Sequence, residues 1–257
     1  MLIIVPSSEA KAPPRSRGRP VRLDGLSFPG LAATRSAILE ALIETSARGD
    51  ALDRLRVGPT MAEEVARNTR LRDLPAAPAL EVYRGVVHAG LDANGLSAAA
   101  RRRAAGTVVI ASSLWGLLRP ADRIPPYRLH ICSRLVGIDG LEPTWRRVLP
   151  AALAEAAGAR GVVLDLRSTS YQAAGMPAGL GERTVTLRVV ADADGRSPGN
   201  VIVKRVRGQA ARWLLESGVR PRDPIELARV LGEQWRPQLV EPSRSGSPWT
   251  LTLVARP

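Results

Sequence analysis

The stretch Ala111-Ser112-Ser113-Leu114-Trp115-Gly116-Leu117-Leu118-Arg119-Pro120-Ala121-Asp122-Arg123-Ile124-Pro125-Pro126-Tyr127-Arg128-Leu129-His130-Ile131 decides how this chain is read. The apolar run at 107–110 before it has strand character, and it passes into small hydroxyl residues and then, by pattern, a short helical turn. Arg119, Asp122, Arg123, Tyr127 and Arg128 crowd together while Pro120, Pro125 and Pro126 fix the backbone. Stiff backbone holding cationic and phenolic groups in fixed positions is what an anion site requires. The same residues also suit an Arg/Asp network that staples a loop to the core, and residue types alone leave both readings open.

Outward from this stretch, strand and helix signals alternate. Apolar runs at 2–5, 107–111 and 161–166 read as buried strands, and 249–254 as a final one. Residues 184–191 alternate and are expected to pair with 201–206 across the turn Asp192-Ala193-Asp194-Gly195. Helical spacing spans 31–45 and continues over 47–56; further helices are expected at 62–68, 83–91, 98–105, 143–157, 204–217 and 225–231. The Pro- and Arg-rich segment 12–22 reads as a basic surface loop. With no internal repeat and no evident linker, the pattern implies one α/β domain, residues 1–257, built on a mixed β-sheet wrapped by helices.

Composition narrows the partners. Of 37 basic residues only Lys11 and Lys204 are lysines, leaving 35 arginines against 24 acids and a net charge of +13. An Ala- and Arg-heavy, Lys-poor chain reflects a GC-rich coding sequence, but the excess over acids survives any Lys/Arg exchange and favours a polyanionic partner. Two lysines placed beside strands in such a chain stand out, because lysine is a compact point charge whose pKa falls on burial. Cys132 is alone, so neither a disulfide framework nor a cysteine-based zinc site is expected. His88 and His130 lack metal-ligand spacing; haem or iron held by one of them is a minor alternative to a chain without cofactor. Neither a secretory leader nor a membrane span is evident, so the expected compartment is the cytoplasm and no membrane contact is expected.

Within 47–68, Leu52-Asp53-Arg54-Leu55-Arg56-Val57-Gly58-Pro59-Thr60-Met61-Ala62-Glu63-Glu64-Val65 resembles a helix-hairpin-helix, whose Gly-containing turn offers backbone N–H groups to a DNA phosphate. Arg56 replaces the usual first hairpin glycine, and Glu63 and Glu64 would repel a phosphate there; an ordinary helix corner is the other reading.

Several stretches together carry a family resemblance. Trp115-Gly116-Leu117-Leu118-Arg119-Pro120-x-Asp122-x-Ile124-x-Pro126-Tyr127-Arg128-Leu129 is similar to the central signature of the YaaA family of peroxide-stress proteins. The opening Leu2-Ile3-Ile4-Val5-Pro6-Ser7-Ser8-Glu9-Ala10-Lys11 resembles that family's apolar strand followed by Ser/Pro and Lys, and Tyr83-Arg84-Gly85-Val86-Val87-His88-Ala89-Gly90-Leu91 its Gly-x-Val segment. Ser168-Thr169-Ser170-Tyr171 and Lys204-Arg205-Val206-Arg207-Gly208 resemble its Ser-x-x-Tyr and Lys-x-x-Arg-Gly elements. The resemblance implies a cantaloupe fold and a DNA-binding protein that limits iron-dependent damage under peroxide, using a basic cleft and a helix-hairpin-helix-like element.

Four polar clusters follow strand ends: Ser7, Ser8, Glu9 and Lys11; Ser112 and Ser113 with Arg119; Ser168 and Tyr171; and Lys204 with Arg207. In α/β sheets ligands bind where such loops converge. A common cleft of Lys11, Arg119, Tyr127, Arg128, Tyr171, Lys204 and Arg207 is therefore expected. Two functions fit. In the first, double-stranded DNA is held without sequence preference by Arg56, Gly58, Thr60, Arg119, Arg128, Ser168, Lys204, Arg207 and Arg212 with Lys11 and Tyr127, which predicts strong salt dependence. In the second, an enzyme takes a small anionic or nucleobase-like substrate in the same cleft, with Lys11, Glu9 and Tyr171 as catalytic groups and Asp165 as a further acid. An enclosed pocket favours the enzyme, a duplex-wide groove the DNA binder.

Overall fold

A computed structural model describes residues 1–176, 179–191, 195–196 and 198–254. The chain runs β1 (Leu2–Pro6), α1 (Ala32–Ser46), α2 (Ala51–Leu55), α3 (Ala62–Arg67), β2 (Ala77–Pro78), α4 (Ala79–Val82), α5 (Val86–Leu91), α6 (Ala98–Thr107), β3 (Val108–Ser112), β4 (Gly116–Leu118) and β5 (Arg123–Ile124). It continues with α7 (Leu141–Arg146), α8 (Leu149–Ala157), β6 (Val163–Asp165), α9 (Thr169–Gln172), β7 (Thr184–Val190), α10 (Asn200–Ser217), α11 (Pro224–Gly232), β8 (Pro237–Val240) and β9 (Trp249–Val254).

Seven strands form one mixed sheet in the order β4-β3-β1-β6-β7-β9-β8, with β2 and β5 as a separate pair. From β3 to β9 every neighbour is parallel; β4 and β8 close the two edges antiparallel. Leu2, Ile3, Ile4 and Val5 are buried because parallel strands under helices hide both faces, which is why β1 is apolar at successive positions. Helices cover the sheet, giving the single α/β domain that the alternating pattern implies.

Four local expectations change. Residues 201–206 are not a strand partner of β7 but the first turns of α10; β7 pairs with β6 and β9 instead. Alternating valines fit either element, and packing decides: α10 lies so close to α5 that a Cβ on Gly208 would stand 2.0 Å from the Val87 carbonyl oxygen. Of the turn expected at 192–195, residues 192–194 lie outside the described residues. The helical spacing over 47–56 is broken at 47–50, and 143–157 is two helices, α7 and α8, with Pro150 at the start of the second. Finally, the turn after β3 is a tight connection to the antiparallel β4 rather than helix.

That connection depends on Gly116, at φ +69, where a Cβ would meet the Trp145 ring at 2.5 Å. Arg35, fully buried on α1, locks it from the other side, donating to the carbonyls of Trp115 (2.9 Å), Leu117 (2.7 Å), Ser27 and Phe28. Burial lowers the Arg35 pKa to about 10.

Gly116→Ala should therefore destabilise the protein by about 2–4 kcal/mol, from left-handed backbone plus a clash with a ring that cannot yield. Gly58→Ala, at φ −77 with open space around it, should change stability by less than about 0.5 kcal/mol. Urea unfolding of the two variants checks both.

Candidate functional site

Because β3, β1 and β6 are parallel neighbours, their carboxyl ends share one edge of the sheet. Ser7 after β1, Ser112 at the end of β3 and Tyr171 on the short α9 after β6 come together there. Ser7 Oγ lies 3.0 Å from the Tyr171 hydroxyl, and Ser112 Oγ 2.7 Å from the Tyr127 hydroxyl, itself 2.9 Å from that of Tyr83. Burial raises the pKa of Tyr83, Tyr127 and Tyr171, so all three phenols stay protonated and can donate hydrogen bonds.

Tyr171 is aimed by a group the sequence did not flag. Arg167, fully buried, pairs with Asp165 at 2.8 Å and donates to the Tyr171 and Gly175 carbonyls, fixing the loop after β6. Asp165 is thereby an ion-pair partner and not a free acid. Nothing in its local sequence marks Arg167, one arginine among 35, as different from a surface residue.

Lys11 is placed by backbone pairing. The Ala12 N–H donates to the Val82 carbonyl and the Arg84 N–H to the Ala10 carbonyl, so residues 10–12 run antiparallel beside 82–84. Gly85 permits this approach, since a Cβ there would meet Ser8 at 2.7 Å. Lys11 Nζ consequently sits 4.0 Å from the centroid of the Tyr127 ring and 5.8 Å from that of Tyr83, and donates to the Glu9 carbonyl at 3.2 Å. Burial, then Arg128, lower its pKa to about 7, against the opposing pull of Glu9 and Glu64. Beside it opens a recess of about 230 Å3, lined by Lys11, Pro13, Glu64, Arg67, Pro126 and Tyr127.

Arg128 stands behind the recess, paired with Glu9 (2.6 Å) and with the recess residue Glu64 (3.7 Å), and Asn68 fixes its backbone on both sides. Glu9 also approaches His130 Nε2 at 3.6 Å. Glu64 and Arg67, three apart on α3, face the site; the sequence marked Glu64 only as a residue that would repel a phosphate, and Arg67 only through the helical pattern. His88 Nε2 lies 3.0 Å from the Pro6 carbonyl and the ring stacks on Tyr83; burial lowers its pKa to about 4, while Nδ1 has no hydrogen-bond partner among the described residues. Among the described residues no group of three His, Cys, Asp or Glu side chains could hold a metal ion, and no helix is long and apolar enough to cross a membrane.

The structure brings Lys11, Glu9, Tyr127, Arg128 and Tyr171 together, with Ser168 exposed at the start of α9. Arg207 reaches inward from α10 to the Leu187 carbonyl and feels Asp165, so it flanks the end of β6. Lys204 is exposed one turn earlier on α10 and does not line the recess. Arg119 is not in the cleft. It follows β4, which runs antiparallel to β3, and donates to the Gly106 and Val108 carbonyls at the opposite end of β3. Asp122 there accepts from the Arg119 N–H and from Ser27, so this part of the stretch is the loop staple. Arg212 is spent on closing α5, bonding the Asp92 carboxylate and the Leu91, Asp92 and Gly95 carbonyls. Arg56, Gly58 and Thr60 are exposed on the turn between α2 and α3, helices of five and six residues, apart from the recess.

The profile described as peroxide stress protein YaaA matches residues 1–238 of this chain. The chain belongs to the YaaA family. A UPF0246 protein of Streptomyces coelicolor is 40% identical over 99% of this chain and 98% of its own length. One from Corynebacterium efficiens is 35% identical over 99% and 100%, and one from Shewanella oneidensis 32% identical over 65% and 67%. The YaaA-family segments recognised in the sequence thus hold the recess residues Lys11 and Tyr127 and the nearby Arg128 and Tyr171, while their Arg207 lies beside Asp165 at the end of β6.

Lys11 and His88 both bind fewer protons folded than unfolded. Folding stability should therefore rise with pH from about 4 to 6.5 as unfolded histidine loses its proton, and again from about 7 to 10.5 for lysine. Lys11→Met, which cannot charge, should be more stable than the parent at pH 6 by roughly 2–4 kcal/mol, allowing for partial exposure. The gain should vanish near pH 10.5. Denaturant unfolding across that range checks the sign.

Proposed function

We propose that the protein serves the peroxide-stress response by binding a small anionic or nucleobase-like ligand in the Lys11 recess and acting on it. The observation that carries this reading is the Lys11 ammonium over the Tyr127 ring, in a recess of about 230 Å3 shared with Glu64 and Arg67. A recess of this volume, just under the usual range for ligand sites, takes a ligand of a few heavy atoms and not a duplex. It combines an amine near neutrality, a carboxylate, two nearby guanidinium groups and an aromatic wall, which are the groups that acid–base chemistry on an anion uses. No metal or cofactor is assigned to it.

A second reading, sequence-independent binding of double-stranded DNA, is favoured by the net charge of +13 and by the exposed turn carrying Arg56, Gly58 and Thr60. It loses Arg119 and Arg212 as phosphate ligands, because internal carbonyls and carboxylates occupy both. Limiting iron-dependent damage is compatible with either reading.

Calorimetric titration with inorganic phosphate, adenosine monophosphate and glyoxylate separates the two. At least one should bind with a dissociation constant below about 1 mM, weakened about tenfold or more by Lys11→Ala. No binding of any of them, alongside salt-dependent duplex binding weakened by Arg56→Ala, would replace this reading by the second.

A further inference from the structure

We infer that Lys11 forms an imine with a small aldehyde or ketone that also bears a carboxylate or phosphate. The inference rests on the small-ligand reading above and names its substrate class and first covalent step. Four features of the recess point to it. The Lys11 amine is held beside an aromatic wall and, among the described residues, makes one hydrogen bond, to the Glu9 carbonyl, with Nζ facing the recess it lines. Burial leaves a large share of it unprotonated near neutral pH, the form that attacks carbonyl carbon. Glu64 lines the same recess and acts electrostatically on Lys11, in reach to carry protons. Arg67 lines it too and Arg128 stands behind Glu64, supplying positive charge for an anionic group on the ligand.

The step balances without any further reagent. The Nζ lone pair attacks the carbonyl carbon, and the C=O π pair moves to oxygen. The Glu64 carboxylate takes a proton from nitrogen and returns it to that oxygen, giving a carbinolamine. Loss of the hydroxyl as water, with the remaining N–H proton leaving through Glu64, forms the C=N bond. One amine and one carbonyl thus become one imine and one water, with nothing oxidised or reduced. Arginine, the base this chain uses everywhere else but at Lys204, cannot take this role, since its guanidinium stays protonated.

Glyoxylate with cyanoborohydride at pH 7 tests it by peptide mapping of the full chain. Lys11 should gain the mass of one carboxymethyl group at a rate about tenfold or more above Lys204, the internal control exposed on α10. Inorganic phosphate should slow the labelling, and Glu64→Gln should slow it without unfolding the protein. Lys11→Arg, which keeps charge and length, should leave the site unlabelled at an unchanged circular dichroism spectrum. Equal labelling of Lys11, Lys204 and the Met1 amine would overturn the inference. So would glyoxylate binding in calorimetry with no Lys11 adduct, an outcome that leaves the small-ligand reading standing; no glyoxylate or phosphate binding at all would remove both.

Discussion

Everything at the site depends on β1 being hydrogen-bonded between β3 and β6 with all three strands running the same way. Parallel pairing sends three chain segments, far apart in sequence, off one edge of the sheet. Ser7, Ser112 and Tyr171 meet there only because of it. The burial that makes β1 a central strand is also what desolvates its continuation, so the same constraint that builds the core shifts Lys11 and His88 away from their ordinary charge states.

Arginine does two jobs that its abundance conceals. Arg35 and Arg167 are buried and satisfy carbonyls that loops leave open, Arg119 and Arg212 do the same at helix and strand ends, and only a minority of the guanidinium groups stand near the recess. A charge of +13 therefore overstates the positive surface that a ligand would meet. Lysine is the more selective marker, and of two lysines one lies in the recess.

The architecture was legible because its strands are short apolar runs and its helices mostly keep a clean period: 249–254 is β9 as expected, and α1 begins one residue later than its pattern. The failures have a common cause. Val201 and Val203 suit a β-branched strand run as well as a helix, and the deciding contact sets Gly208 against Val87 and Gly90 of α5, a helix remote in sequence. Arg119 falls outside the expected cleft because one glycine, Gly116, reverses the chain and carries the next residues to the far end of β3. At the site, Lys11, Tyr127, Arg128 and Tyr171 could be found from the proline-fixed stretch, strand-end position and family resemblance; Arg67, Arg167 and the place of Glu64 in the recess could not, because helix surfaces and arginine-rich loops look alike until they are folded.

The most direct test of the account is the titration of Lys11 itself. With two lysines, selective 15N-lysine labelling gives two side-chain signals, assigned by Lys204→Arg. Lys11 Nζ should titrate with a midpoint near 7. A midpoint in the ordinary lysine range, around 10.4, would mean a solvated ammonium at the strand ends, and the recess would lose the chemistry assigned to it.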